Sequence, residues 1–249
     1  MSRAAPLHPG DTVDIAVLAV THTDIGCRRL DDGTLVNFRG IEGVHLVPGA
    51  IATVKVKRLW TYGRPYLSGT VEAVRIDVPA LGLPRLKLIA LESGEGRRVH
   101  ALEHPEPGRG KRRRPLLDAE TCFATGDVAS AIERAWKLLA RDLRCLGAHV
   151  LLGDIASRQF HRMSAFHFEV GLRIAEQAVG PEFDGIVPWA IESNRPFLRC
   201  LYGHAWAQRR LGHAAEARRA LVRLLMLDPE DHLGAREALS EVEPGRKKK

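Results

Sequence analysis

The chain has 249 residues, of which 45% are hydrophobic and 27% charged, and its formal net charge at pH 7 is +7. That composition is typical of a soluble globular protein, and the absence of any run of about 18 apolar residues excludes a chain of membrane-spanning helices. Pro6, Pro9 and Gly10 interrupt the N-terminal stretch, so we expect no secretory signal peptide and a cytoplasmic protein.

The excess of positive charge is unevenly distributed along the chain. Residues 1–78 carry a net charge of +1, residues 79–115 carry +5, residues 116–243 carry −3 and residues 244–249 carry +4. The excess therefore lies in a connecting segment and in the tail, which does not favour a strongly basic nucleic-acid-binding body.

The first quarter of the chain has the pattern of a small β-barrel. The β-branched run Val13–Val20 predicts a buried strand, and turn residues separate it from further strands predicted at 26–30, 34–38, 51–60 and 66–76. In the fourth strand Val54 and Val56 alternate with lysines, the period of two that a half-buried antiparallel sheet imposes. Four or five short strands favour a barrel over a sandwich, which usually needs about seven.

The order of these pieces resembles the OB-fold, most closely its TRAM-type variety. The resemblance rests on an apolar strand, a glycine-containing second strand, the turns Asp32-Gly33 and Pro48-Gly49, and two long strands after them. It implies an OB-like barrel and, as such folds often do, binding of single-stranded RNA or DNA.

Aromatic and cationic residues in the barrel are candidates for that binding, because stacking faces combined with a cationic track hold single strands. The candidates are Phe38, Arg39, Arg58, Trp60, Tyr62, Arg64 and Tyr66. The alternative is that the aromatic residues pack in the core or at the rim of the barrel.

Residues 79–115 predict a hairpin followed by a linker. Strands at 85–91 and 97–103 would be joined across 93–96, and the hairpin would extend or cover the barrel. Residues 104–115 have no apolar residue to bury, which indicates an exposed, flexible linker. Its basic run of Lys111, Arg112, Arg113 and Arg114 either contacts phosphates or is simply solvated, as the basic tail is.

Beyond Pro115 the sequence has a helical repeat. Ala131 and Ala165 occupy equivalent places 34 residues apart, and Ala217 follows after one more unit plus an 18-residue insertion at 180–197. Helical hairpins of this length, with small residues where the helices meet, Gly212 at a turn and Pro229 at an end, resemble the tetratricopeptide repeat (TPR). The best preserved unit is 198–231, and the stretch from Pro188 onwards also resembles the C-terminal part of a group of bacterial repeat proteins.

The TPR resemblance implies a concave face along which a peptide of a protein partner lies. One helix face of the third sequence repeat carries Arg199, Tyr202, Trp206 and Arg209. The second sequence repeat contributes Asp154 and Arg158. Aromatic and arginine side chains are favoured at binding hot spots. The alternative is that this stripe is core, since periodicity does not say which face is exposed. The carboxylate clamp of some TPR proteins is not reproduced here.

No residue pattern predicts catalysis, a cofactor or a metal. The four cysteines are scattered without a Cys-x-x-Cys pair, so we expect reduced and mostly buried thiols. The histidines form no His-x-x-x-His pair, and no phosphate loop or dinucleotide fingerprint occurs.

The sequence thus predicts an α+β multidomain protein with four parts: an OB-like barrel at 1–78, a hairpin and basic linker at 79–115, a TPR-like helical-repeat domain at 116–243 and a basic tail at 244–249. The predicted function is a non-enzymatic adaptor whose helices bind a protein and whose barrel and linker contact RNA. A structural assembly factor without nucleic-acid binding and an enzyme of another class are the alternatives.

Overall fold

The structure, a computed structural model, describes residues 6–40, 46–91, 96–105 and 115–242. A closed N-terminal β-barrel is followed by a helical region, which confirms the predicted fold class. Tertiary contacts divide the chain into two compact units. The first comprises Met1–Leu83 and Pro115–Leu143, and the second comprises Pro84–Arg114 and Arg144–Lys249. The domain bounds predicted at 78, 115 and 243 stay a prediction.

Five strands form the barrel of the first unit: β1 Thr12–Val20, β2 Ile25–Arg29, β3 Leu35–Gly40, β4 Ile51–Tyr62 and β5 Arg64–Arg75. They are ordered β1-β2-β3-β5-β4, and the β1–β4 pair closes the barrel. Strands β3 and β5 run parallel, whereas the other neighbours are antiparallel. Alternate residues point inwards, so Ile15, Phe38 and Leu67 lie in the core.

A β-bulge at Lys57 changes which side chains of β4 point outwards. Val56 is the register partner of Gly69, but Arg58 is already the partner of Ser68, so Lys57 is the extra residue. A strict period of two continued from Val56 would place Arg58 and Trp60 inside the barrel. The bulge shifts the alternation by one residue and turns both side chains outwards. The strand pattern in the sequence did not predict this shift.

Two helices complete the first unit after the short helix α1 Val78–Leu81. They are α2 Pro115–Ala124 and α3 Val128–Arg141, and Gly126 turns between them with a φ of 87°. The carboxylate of Asp127 caps α3 by accepting from the Ser130 amide at 3.1 Å. Helix α3 packs on β1, and the Trp136 ring lies 5.5 Å from the ring of His22 in the β1–β2 loop.

The second unit contains the remaining helices: α4 Leu146–Ala156, α5 His161–Val179, α6 Arg195–Arg210, α7 Ala214–Leu227 and α8 Ala235–Val242. Helix α5 packs on both α4 and α6, and α7 packs on α6. The insertion between α5 and α6 confirms the predicted break in the repeat. Helix α8 was not predicted, and it begins where the Asp231 carboxylate accepts from the amides of Ala235 and Arg236.

The small residues predicted at the helix contacts are buried: Ala119, Ala131, Gly153, Ala165, Ala205 and Ala217. Gly153 of α4 and Gly203 of α6 both face the ring of Phe168 on α5, and a Cβ atom at either glycine would overlap that ring. The absence of two side chains therefore lets three helices approach around one phenylalanine.

A two-stranded sheet of β6 Lys87–Leu91 and β7 Val99–Glu103 also belongs to the second unit. The prediction that this hairpin extends the barrel is wrong, because β6 and β7 form a sheet of their own and β7 bonds to the insertion. That the hairpin covers the barrel stays a prediction. The amide of His100 donates to the Ile186 carbonyl at 2.9 Å, and Ile186 donates back to Arg98 at 2.8 Å. The partner of β7 lies about 90 residues further along the chain, where no local pattern indicates it.

Asn194 joins this sheet to the start of α6. Its side chain is fully buried, donates to the carbonyls of His100 at 2.9 Å and Pro188 at 3.1 Å, and accepts from the Leu102 amide at 2.9 Å. One amide thus satisfies three backbone groups that would otherwise be buried without partners.

Within the described residues, no helix is both long enough and apolar enough to cross a membrane.

Candidate nucleic-acid face and peptide groove

An aromatic stack lies on the outer surface of the barrel. Trp60 of β4 and Tyr66 of β5 are register partners, and their rings stack with centroids 5.2 Å apart and an angle of 13° between planes. The guanidinium carbon of Arg39, on β3, lies 5.5 Å from the Tyr66 ring centroid. The side chain of Tyr62 is 81% exposed on the same surface. We call the outer surface of β2, β3, β5 and β4 the barrel face.

Arginines surround this stack. Arg58 of β4 and Arg64 of β5 are exposed. They lie two residues before Trp60 and Tyr66, respectively, and so project from the same surface of the strands. Arg39 is also exposed and lies 3.8 Å from the carboxylate of Asp24. The barrel face therefore combines aromatic surfaces with a surplus of cations, an arrangement that suits an anionic strand carrying stacking bases.

Phe38 does not belong to this face, and its prediction as a nucleic-acid-binding residue is wrong. It is 1% exposed and packs in the barrel core, because its neighbours Asn37 and Arg39 occupy the outward positions of β3. The predicted basic residues Lys111, Arg112, Arg113 and Arg114 lie outside the described residues.

A second candidate site is a cavity of about 230 Å³ in the helical unit, which we call the groove. Helices α4 and α6 form its walls and the start of α5 its floor. Its lining residues are Asp154, Ser157, His161, Ser164, Phe168, Tyr202, Gly203, Trp206, Ala207 and Arg210. Three of the predicted peptide-binding residues, Asp154, Tyr202 and Trp206, therefore come together here. They do so because α4 packs against α6 across the Phe168 ring.

The polar groups of the groove are partly paired. The Asp154 carboxylate accepts from the Arg199 guanidinium at 2.7 Å. Burial raises the pKa of Asp154, although Arg199 opposes that effect. The Arg210 guanidinium donates to the Ser157 carbonyl at 3.1 Å, and the Nδ1 atom of His161 is buried without a hydrogen bond to any described residue. A ligand in the groove could therefore form a hydrogen bond with His161 Nδ1 beside the apolar floor.

The other predicted groove residues lie elsewhere. Arg158 is exposed just after α4. Arg209 covers the Trp206 ring at 4.6 Å and forms a 2.6 Å ion pair with Glu241 of α8, so it faces the cleft between α6 and α8. Helix α8 was not predicted from the sequence. Because Arg209 pairs with α8 whereas Tyr202 and Trp206 line the groove, the predicted row of side chains on α6 is divided between two surfaces.

Sequence reasoning also missed the floor of the groove. Phe168 and Gly203 form it, and the available signal was a glycine inside a helix. Such a residue weakens the helix by about 1 kcal/mol relative to alanine, and it often indicates close packing or a functional reason.

The described residues hold no group of three or more His, Cys, Asp or Glu side chains that could bind a metal. None of the four cysteines forms a disulfide, and three of them are buried. Burial raises the pKa of the Cys27 thiol to about 12 and raises that of Cys200 as well, which leaves both thiols protonated and poorly nucleophilic at neutral pH.

Comparisons with known proteins identify no family. No protein-family model matches the chain, and no curated protein sequence does. Among solved structures, the first TPR of Spaghetti (RPAP3) bound to the HSP90 peptide SRMEEVD is similar at 15% identity and a TM-score of 0.40, over 51% of this chain and 86% of that chain. A likeness of this size supports no conclusion about what this chain binds.

Proposed function

We propose that the protein is a non-enzymatic adaptor. Its barrel face holds a single-stranded nucleic acid, RNA or DNA, and its groove holds a peptide segment of a protein partner. The observation that carries the proposal is the stack of Trp60 and Tyr66 with Arg39 on the outer surface of the barrel, because Trp60 and Arg39 are exposed and offer a stacking face and a cation to a ligand.

The chemistry of the barrel face favours a nucleic acid over an apolar partner. Strand β5, which carries Tyr66, lies between β3 with Arg39 and β4 with Trp60, and the exposed ring of Trp60 is the stacking surface we propose for a base. Arg58 and Arg64 flank that surface, where phosphates of the same strand would lie. The basic linker would add sequence-independent attraction to phosphates.

Replacing Trp60 by alanine should weaken binding of a labelled oligo(U) strand about tenfold, because one base loses its stacking surface. The loss should be similar at every salt concentration, since stacking releases no counterions. Fluorescence anisotropy with the full chain measures it.

The control is Phe160→Ala, which removes a side chain that is 45% exposed in the other unit, and it should leave affinity unchanged. Binding that Trp60→Ala leaves intact would assign the stack to protein packing. Absence of any strand binding would favour the assembly factor without nucleic acid.

For the groove, charge favours an acidic peptide with an apolar anchor residue. Asp154 is neutralised by Arg199, which leaves the guanidinium of Arg210 in the lining as the charge we propose the peptide meets. The anchor would sit over Phe168, against the edge-to-face pair of Tyr202 and Trp206.

Selection of a random peptide library on the full chain should therefore enrich Asp and Glu on either side of an aromatic or aliphatic residue. The variant Arg210→Glu should select Lys and Arg instead, because complementary charge sets the choice of partner. Arg218→Glu, on the exposed side of α7, is the matched control and should select the original peptides. Identical selections for all three proteins would refute the groove as the binding site.

A further inference from the structure

We propose that the anchor residue of the peptide in the groove is a tyrosine, whose hydroxyl group hydrogen-bonds to the Nδ1 atom of His161. This inference rests on the proposed peptide-binding function of the groove and specifies which side chain the groove selects.

The groove has the size and the surfaces of a pocket for one aromatic side chain. Its volume is about 230 Å³, below the roughly 300 Å³ at which small-molecule sites usually begin. The Phe168 ring forms its floor, and the rings of Tyr202 and Trp206 meet edge to face with centroids 6.1 Å apart. Aromatic rings favour edge-to-face and offset contacts, so a further ring packs well against this set.

Most polar side chains of the groove already have partners within the protein. The Ser157 and Ser164 hydroxyls donate to backbone carbonyls of α4, at 2.7 Å and 2.9 Å. The Asp154 carboxylate accepts from Arg199 at 2.7 Å, and Arg210 donates to the Ser157 carbonyl at 3.1 Å. These groups are held in place by the protein itself and do not depend on a ligand.

His161 is the exception. It is the first residue of α5, it lines the groove, and its Nδ1 atom is buried without a hydrogen bond to any described residue. Burying a nitrogen without a partner is costly, and that cost falls when a ligand supplies the missing hydrogen bond. An anchor with a polar group at the end of its ring should therefore bind more tightly than a purely apolar ring.

The order of residues along α5 places this nitrogen within reach of a ring on the floor. His161, Ser164 and Phe168 are at positions i, i+3 and i+7, so they share one face of the helix. At a rise of 1.5 Å per residue, His161 and Phe168 are about 10 Å apart along the helix axis. The small Ser164 side chain lies between them, so a ring above it can contact Phe168 at one end and approach His161 at the other.

A hydroxyl group suits Nδ1 in either tautomer of the histidine. Neutral histidine carries its proton on Nδ1 or on Nε2, so Nδ1 is a donor in one form and an acceptor in the other. The tyrosine hydroxyl both donates and accepts, whereas the indole N–H of tryptophan only donates and phenylalanine does neither. Serine and threonine carry the hydroxyl but have no ring to cover Phe168. Tyrosine combines the ring and the hydroxyl.

Selection of a random peptide library on the full chain should enrich tyrosine at the anchor position, between the acidic flanks. The most strongly enriched peptide is then synthesised with a fluorescent label, together with a version in which phenylalanine replaces the tyrosine. In fluorescence anisotropy the wild-type chain should bind the tyrosine peptide about fivefold more tightly, the value of one neutral hydrogen bond.

His161→Leu and His161→Asn are the matched variants, since leucine and asparagine have similar shapes and only asparagine retains hydrogen-bonding atoms. His161→Leu should bind the two peptides within about twofold of each other, because the partner of the hydroxyl is gone. His161→Asn should keep the preference for the tyrosine peptide.

The outcomes are distinguishable. Equal wild-type affinities for the two peptides, a preference that His161→Leu retains, or enrichment of a tryptophan or aliphatic anchor would overturn the tyrosine anchor and leave peptide binding in the groove standing. If the selection enriches no peptide, the proposed peptide binding itself fails and the tyrosine anchor fails with it. Thermal unfolding checks the fold of both variants; if His161→Leu unfolds, the wild-type comparison of the two peptides decides.

Discussion

Asn194→Ala is expected to lower the free energy of unfolding of the second unit by about 3 kcal/mol, since it leaves the Leu102 amide and the carbonyls of His100 and Pro188 buried without partners. The same loss should release β7 from the insertion. Hydrogen exchange of the β6 and β7 amides, measured by mass spectrometry, should therefore rise before that of α4 and α5.

Ser193→Ala is the matched control. Ser193 contributes its backbone carbonyl, which the His104 ring contacts at 2.5 Å, and that group survives the substitution. The control should keep both the free energy of unfolding and the exchange pattern of the wild type. An Asn194→Ala protein as stable as this control would contradict the central role of the buried amide.

In acid, two buried histidines should together destabilise the same unit by up to about 2.7 kcal/mol per pH unit below pH 6.5, the usual pKa of an unfolded histidine. Burial lowers the pKa of His104 in this unit as well, which adds to the slope. His167 and His204 are buried, and burial lowers the pKa of both, well below the usual value for His167. The neighbouring His149 ring lowers the pKa of His167 further, whereas Glu169 and Glu216 raise that of His204 without offsetting its burial.

The sign follows from proton uptake. Above pH 6.5 neither histidine binds a proton in the folded or the unfolded chain, so their contribution to stability does not change with pH. Below it, the unfolded chain takes up two protons that the folded unit excludes, and the free energy of unfolding falls until the pH reaches the lowered folded pKa values.

Urea unfolding at a series of pH values measures this slope. Trp60→Phe and Trp136→Phe in the background leave Trp189 and Trp206, both in the second unit, as the fluorescent reporters. His167→Gln should reduce the slope by about 1.4 kcal/mol per pH unit, the value of one proton. His8→Gln, at an exposed position of the first unit, should not change it, and a slope that neither variant changes would exclude His167 as the cause.

The two candidate sites differ in how far the sequence could locate them. The sequence indicates Trp60, Tyr66 and Arg39 by residue type, as aromatic and cationic side chains of the predicted strands, and the structure brings them into one stack. Phe38 is also aromatic and was predicted on the same ground, but strand alternation buries its side chain in the barrel core. Residue type indicates what a side chain can bind, but the face it occupies depends on register.

The groove was only partly predictable. Helical spacing placed Tyr202 and Trp206 on one face, and the cavity contains both. Spacing could not predict that α8 would draw Arg209 away through Glu241, or that Phe168 would form the floor. Arg209 and Glu241 are 32 positions apart, and Phe168 lies on a different helix from Tyr202 and Trp206. No local pattern in the sequence encodes either contact.

The amino-acid sequence by itself determined the strands, the helical hairpins, the insertion and the small residues where helices meet, because hydrophobic period, turn residues and side-chain size act locally. Tertiary structure alone decided which side chains reach solvent together. One extra residue at Lys57 reverses the alternation along β4, and Asn194 ties β7 to a helix about 90 residues away. Both effects depend on pairing between distant segments, whose free energy appears only once the chain has folded.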